Sequence, residues 1–277
     1  MRSTNRMSNC RLPFRGAPFF FCFCALTLLS TAIVLMPVEA RSVDEKVPVL
    51  VELFTSEGCS SCPSADRLLS KLWREQPVEG AYIVPLSEHV DYWNYLGWKD
   101  PFSQASLSAR QNNYVNRIKS SSVYTPQMVV DGRLAFVGSS ESQALAAIKQ
   151  AITAPAAGLA ITNYKNVAGT LSFDLKLSSL PPDCIGRPLA LCFALVDDTT
   201  RSQVTSGENN GSRLNHISVV RNLEVVKRIK PTSTETAAIN CQTTHQLPQS
   251  QSAQHIIVFL QDEENGTIWG VVRQAAK

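Results

Sequence analysis

Two cysteines three residues apart lie in the run Cys59-Ser60-Ser61-Cys62-Pro63. The run falls where a short apolar segment (47–54) gives way to an amphipathic one (64–75). A strand-to-helix junction is a place where such a pair can do chemistry. The first turn of a helix presents unpaired N–H groups and the positive end of the dipole, which favour a thiolate over a thiol. Cys59 is then the nucleophile, and Cys62, one turn on, resolves a mixed disulfide. Pro63 suits a first helical turn, where its missing N–H is not needed. Two other readings stay open. The pair also fits a static structural disulfide, or half of a zinc or copper site. A zinc site calls for further Cys or His at suitable spacing, and the nearby histidine is His89, with no second paired-cysteine motif in the chain.

Other residues can support this chemistry. Thr125-Pro126 directly precedes an apolar strand and a tight turn, a place that invites a cis peptide bond. An ordinary trans proline at the start of an edge strand fits the same pattern. Glu52 stands between Val51 and Leu53 in a strand expected to be buried on both faces. Burial raises a carboxyl's pKa, so Glu52 has either a proton-handling role or a structural ion pair, for example with Arg133. His89, Asp91 and Trp93 follow the second strand and are candidates to line a groove over Cys59, with Trp98 adding apolar contact; a packed loop capped by Asp91 is the plainer reading. His216 and Arg221 read as a satisfied polar pair, and Arg221, Lys227, Arg228 and Lys230 as a solvated strand face. Asn210-Gly211-Ser212 and Asn265-Gly266-Thr267 match a glycosylation acceptor pattern but are also plain turns.

Hydrophobic periodicity sets out the elements that must position these groups. Residues 47–54 and 82–86 read as strands. Ala65, Leu68, Leu69, Leu72 and Trp73 form one face of a helix over 64–75. Residues 101–119 read as an exposed helix. Strands 127–130 and 133–137 meet at Asp131-Gly132, a favoured hairpin turn. Ser140 with Gln143 makes a capping box for a helix running to residue 152. Residues 153–158 are a natural domain boundary. Beyond it, seven strand segments (161–164, 170–177, 189–196, 214–220, 223–229, 255–260 and 267–272) suggest a β-sandwich.

The N-terminal 40 residues are different in kind. Residues 1–16 are basic, residues 17–36 are apolar and uncharged, and Ala40 follows Pro37, Val38 and Glu39. That is the layout of a secretory signal peptide cleaved after Ala40, although the apolar run also approaches the length of a membrane anchor. The net charge of +3 comes from 26 Lys and Arg against 23 Asp and Glu. The leader holds four of the arginines and one glutamate, so 22 bases and 22 acids remain in the rest. A neutral body argues against nucleic acid as a partner. Of 8 cysteines, Cys10, Cys22 and Cys24 lie in the leader. Cys192 sits in an apolar run and reads as core. Cys184 and Cys241 lie in polar contexts and are the candidates for a structural disulfide.

Four stretches carry a family resemblance: VELFTSEGCSSCP (51–63), HVDYWNYLGWKDPF (89–102), YTPQMVVDGR (124–133) and GENNGSRLNHISVVR (207–221). With them the chain resembles the thioredoxin superfamily, and within it the secreted proteins grouped as domain-of-unknown-function family 1223. The resemblance implies an α/β thioredoxin-like N-terminal domain (47–153), followed by a β-sandwich-like C-terminal domain (159–277) behind a signal peptide (1–40). It implies Cys59 and Cys62 as a redox pair, with Thr125 and Pro126 holding substrate backbone beside the sulfurs. It also implies a proton-relay role for Glu52, although Glu52 lies one residue further from the first cysteine than is usual. The expected protein is an exported thiol–disulfide oxidoreductase, secreted or periplasmic. It acts on a thiol-bearing protein or peptide with a separate redox partner, and needs no cofactor, metal or stable membrane span. A non-enzymatic envelope-binding scaffold and a copper- or zinc-handling protein are the alternatives.

Overall fold

The computed structural model describes residues 46–118, 122–167, 170–235, 237–244 and 253–276, the side chains of residue 237 and residues 240–244 excepted. The leader and its cleavage site therefore lie outside the described residues. The first elements in chain order are β1 (Val47–Thr55), α1 (Cys62–Glu75), β2 (Ala81–His89), α2 (Ala105–Ile118), β3 (Gln127–Val130), β4 (Leu134–Val137) and α3 (Glu141–Ala151). After them come β5 (Gly158–Val167), β6 (Thr170–Ser178), a single 3-10 turn (Pro182–Cys184), β7 (Leu189–Gln203) and β8 (Arg213–Ile229). The chain ends with β9 (Ala237–Thr244), β10 (Gln254–Asp262) and β11 (Ile268–Ala275).

The strands form an eight-stranded mixed sheet in the order β11-β10-β7-β8-β2-β1-β3-β4 and a three-stranded sheet β5-β6-β9. This corrects the expected fold class. The protein is mostly β, and its main sheet draws strands from both parts of the chain. The described residues do not form an α/β thioredoxin-like domain followed by a separate sandwich. The join is β2 to β8, parallel, at Ser87 and Val219. Periodicity finds strands one at a time and says nothing about which neighbour each will take. The segments 214–220 and 223–229, expected as two strands, are one 17-residue strand. A register shift in its ladder with β7 leaves Arg221 as the extra residue between the pairs of Val220 and Asn222, which absorbs the polar interruption there.

Alternation along β1 explains why the sheet is buried on both faces. Val49, Val51 and Leu53 pack with Leu68, Leu69 and Leu72 of α1 and with Ala144 and Ile148 of α3. Leu50 packs the other way, with Val84, Leu86 and residues of β7 and β10. Phe54 meets Val129 and Tyr114 of α2. Each such aliphatic side chain contributes roughly 1.5–3 kcal/mol on burial. A further core lies between the two sheets, where Leu171, Phe173, Leu175 and Leu177 of β6 meet Leu191, Phe193 and Leu195 of β7 and Ile256 and Val258 of β10.

Several local expectations are corrected. The helix expected as exposed, α2, buries Leu107, Ser108, Gln111 and Tyr114. Its buried Gln111 is satisfied by the segment leading into β3, donating to Tyr124 O and to Gln127 Oε1. Ser140 is the N-cap residue of α3, but its side chain makes no capping hydrogen bond. Glu141 in that first turn instead accepts from Lys71 of α1 at 2.7 Å. The Asp131-Gly132 turn forms, with φ of 46° and 62°, but Arg133 belongs to the turn, Val130 pairs with Leu134, and β4 starts one residue later than expected.

Candidate functional site

Cys59 and Cys62 are joined in a disulfide with Cα atoms 5.4 Å apart. Cys62 opens α1, and the first turn of that helix contains Pro63 and no acidic residue. The positive end of the helix is thus not neutralised from within. Cys59 lies in the preceding turn, its N–H bonded to Ser56 O and its own carbonyl accepting from Cys62 N–H. The Cys59 Sγ is 3.4 Å from Ser61 Oγ. Both cysteines are fully buried in this disulfide form.

Two segments hold the cysteine turn. Gly58 lies against Trp93, whose Cβ is 3.1 Å from where a Gly58 Cβ would stand. Trp93 Nε1 donates to Thr125 Oγ1 at 2.7 Å, and the Thr125–Pro126 peptide is cis. Trp93 therefore ties the proline loop to the cysteine turn. The second segment is the loop joining β7 to β8. Asn209 Nδ2 donates to the carbonyls of both Glu57 and Cys59, at 2.8 and 3.0 Å. Glu208 Oε2 accepts from Ser60 N–H at 3.0 Å, and the Ser60 hydroxyl and this N–H together draw its carboxyl below the ordinary range. Ser206 Oγ donates to Gly97 O, closing the loop onto the turn after Trp93.

A chain of buried ionisable groups lies behind the turn. Glu57 is fully buried, with Oε2 accepting from Trp98 Nε1 at 2.8 Å and Oε1 lying 3.2 Å from His216 Nε2. His216 Nδ1 stands 3.5 Å from Asp66 Oδ1. Asp66 follows Cys62 by four residues on α1 and so shares its face, and Thr55 Oγ1 donates to its other oxygen. Burial opposes a charge on His216, but the flanking carboxylates of Asp66 and Glu57 outweigh it and push the imidazole up to about 10. His216 is therefore a cation between two acids at neutral pH. Its ring meets His89 edge to face, 4.7 Å between centroids. His89 Nδ1 is bonded to Asp100 Oδ2 at 2.7 Å, and the same oxygen accepts from Glu57 N–H. Burial alone would raise Asp100, yet His89 and the backbone N–H groups of Glu57 and Phe102 hold it below its ordinary value.

The structure distributes the expected site residues unevenly. Cys59, Cys62, Trp93, Thr125 and Pro126 come together. Glu52 does not join them. It points into the α2 side, where Arg110 Nε and Nη2 donate to Oε1 and Tyr114 donates to Oε2 at 2.6 Å. Its ion-pair partner is Arg110, not Arg133. The reason is strand alternation: Glu52 shares the face of Leu50 and Phe54, while Val51 and Leu53 face α1. His89 is buried in the ionisable chain rather than lining an open groove, and Asp91 accepts from Ser108 Oγ of α2 at 2.5 Å. Arg221 Nε lies 3.8 Å from Asp197 and its guanidinium covers Phe102, so His216 and Arg221 are not partners. Cys184 is a free, buried thiol, which corrects the expected Cys184–Cys241 bridge at that end; the Cys241 side chain lies outside the described residues. Cys192 is a free core thiol, pushed by burial to about 11. Among the described residues, no three His, Cys, Asp or Glu side chains are arranged to hold a metal ion. No described helix is long and apolar enough to cross a membrane.

Sequence reasoning missed Asp66, Glu208 and Asn209, placed Glu57 only as a nearby charge that makes the Cys59 thiol less acidic, and gave His216 no role in the site. One signal was present: Asp66 breaks the apolar pattern of α1 four residues after Cys62. The pairing of β2 with β8, which brings His216 beside Glu57, has no local signature.

Fold and site together define a mostly β protein with a mixed sheet and a buried Cys-x-x-Cys bridge at a helix start. Residues 50–261 match the family described as a protein of unknown function, DUF1223, and the chain belongs to that family. It is similar to a crystal structure of a protein from Agrobacterium tumefaciens, with 22% identity, a TM-score of 0.64, and coverage of 84% of this chain and 96% of that one. It is also similar to HBP35 of Porphyromonas gingivalis, with 14% identity, a TM-score of 0.63, and coverage of 83% and 76%. At these identities the likeness shows the fold alone. No curated protein matches the chain.

Proposed function

We propose that the protein is an exported thiol–disulfide oxidoreductase that works through Cys59 and Cys62 on a protein or peptide thiol. The observation that carries this reading is the bridge itself, set at an uncapped helix start with a buried acid–imidazole–acid chain behind it. In the reduced form, the Cys59 thiolate attacks a substrate disulfide. One substrate sulfur leaves as a thiolate and takes a proton, and the other is bonded to Cys59. Cys62 loses its proton and attacks Cys59 Sγ, which releases the second substrate thiolate and closes the bridge. Two electrons pass from the protein pair to the substrate disulfide; the reverse sequence oxidises a substrate dithiol. Asp66 is the first carboxylate along α1 from Cys62 and shares its helix face, so its carboxylate is the candidate base for that proton, and the neighbouring His216, already a cation, holds that carboxylate in place. Export rests on the leader layout of residues 1–40.

A second reading is favoured by one observation. Both cysteines are fully buried and the 204–212 loop is bonded to the backbone on either side of Cys59, as for a static bridge in a binding protein. Exchange with a fluorogenic peptide disulfide separates the two. The oxidoreductase reading expects turnover by the wild type, loss of it in Cys59→Ser, and a trapped mixed disulfide in Cys62→Ser. Wild-type protein that is silent in both reduction and oxidative refolding supports the static bridge.

A further inference from the structure

A cleft of about 560 Å³ opens between α1 and the β7–β8 arm. It begins at Pro63, the residue after the disulfide, and reaches Arg74. At 1.5 Å rise per residue, those eleven steps span roughly 16 Å. Arg67 and Arg74 lie seven residues apart on one face of α1. Arg201 of β7 and Arg213 of β8 line the cleft from the arm. All four arginines are exposed, and none forms an ion pair with a carboxylate of the described residues. Arg213 donates only to Gln203 Oε1, at 3.0 Å.

The inner end of the cleft has polar atoms left over. Thr200 Oγ1 and His216 Nδ1 line it, are buried, and have no hydrogen-bond partner. His216 is only 2% exposed, and its Nδ1 has Asp66 Oδ1 as its ion-pair neighbour at 3.5 Å. Asp66 is the one acid in the lining. Its Oδ1 also lacks a hydrogen bond but sits 3.5 Å from His216 Nδ1, which offsets its charge. In a body with equal numbers of acids and bases, four unpaired arginines in one cleft are a local surplus. A cleft lined by one sign of charge focuses its field and concentrates ligands of the other sign. Guanidinium groups bind carboxylates in a two-point fork. Their spread along both walls fits several carboxylates on an extended chain, where alternate side chains recur about every 6.6 Å, better than one compact anion.

We propose that this cleft binds an acidic, extended peptide segment. On the oxidoreductase reading, on which this rests, that segment flanks the reacting cysteine of the substrate, with its sulfur at the Pro63 end.

The test uses full-length protein and labelled peptides that carry serine in place of cysteine, so binding is read without exchange. One peptide has a run of glutamates beside the serine and the other has lysines. Fluorescence anisotropy is expected to show the acidic peptide bound at least about tenfold more tightly, with affinity falling as salt screens the charges. Arg67→Glu and Arg201→Glu, each checked for native stability, are expected to remove that preference. Equal binding of the two peptides, or variants that bind the acidic peptide as the wild type does, overturns the proposal. Inorganic phosphate that binds as tightly as the acidic peptide overturns it too, since the cleft is then a small-anion site. A parallel run with the cysteine forms separates the two readings: tight acidic binding without exchange overturns the redox reading alone and leaves the peptide cleft standing.

Discussion

His216 is a cation enclosed by carboxylates, and its environment sets a testable pH dependence. Its folded pKa, about 10, lies above the ordinary 6.5. A group raised in this way contributes stability that is complete below the ordinary value and is lost as pH rises through the folded value. Urea denaturation is therefore expected to show stability falling between roughly pH 6.5 and pH 10. In His216→Gln that fall is expected to disappear. The variant is also expected to be about 3–5 kcal/mol less stable at neutral pH, because two buried carboxylates lose their counter-ion. A variant with an unchanged pH profile contradicts the charge assignment. Glu88 adds a fall in the same direction at lower pH, but as a neutral group rather than a charged one. Burial, reinforced by the Glu52 charge, pushes it well above its ordinary 4.5, and neither of its oxygens has a hydrogen-bond partner. Arg110 lies 3.5 Å from it but is committed to Glu52. A carboxyl held neutral in the fold lowers stability as pH rises above its ordinary value. Glu88→Gln is therefore expected to raise stability at neutral pH and flatten that part of the profile, as read by the same denaturation series.

The element that matters most to the cysteine turn is the loop between β7 and β8. Asn209 places two hydrogen bonds on the backbone around Cys59, each contributing about 1 kcal/mol. Asn209→Ala is expected to loosen the loop and speed reduction of the bridge by dithiothreitol at least about tenfold. An unchanged rate means that the loop does not control access to the sulfurs. At the far end of the sheet, Gly132 lies against the Gly266 carbonyl, which an added Cβ would overlap, and its φ is positive. Gly132→Ala is expected to lower stability by more than about 1 kcal/mol, measured by denaturant midpoint. This turn also shows what the sequence made legible. Asp131-Gly132 announces itself because few residues adopt paired positive φ, and the Leu68, Leu69 and Leu72 face of α1 follows directly from helical period. The Cys-x-x-Cys pair was legible for the same reason, as a local signal, whereas the Thr125–Pro126 run fitted a trans proline as well as the cis bond that forms. Glu52 was misplaced because alternation fixes which face a strand residue takes only once the neighbouring layers are known. His216 was read without its partners because β8 reaches β2 across more than a hundred residues of chain.

At the scale of the whole molecule, one sheet joins strands from both ends of the described chain. Trp73, Trp93 and Trp98 report on the early part and Trp269 on the last strand. Because the core runs without a break across β2 and β8, fluorescence of single-tryptophan variants is expected to give coincident denaturation midpoints. Two separated transitions would mean that the seam at Ser87 and Val219 is weak. The same architecture places the cysteine turn where α1, the proline loop and the β7–β8 loop converge, with the arginine cleft leading away from it. Exchange with a substrate requires that bridge to be a working pair. The most direct measurement is the reduction potential of Cys59–Cys62 in the native protein, by equilibration with a thiol–disulfide buffer. A value above about −300 mV is predicted for a pair that exchanges with substrate. A value below about −300 mV marks a structural disulfide and contradicts the account.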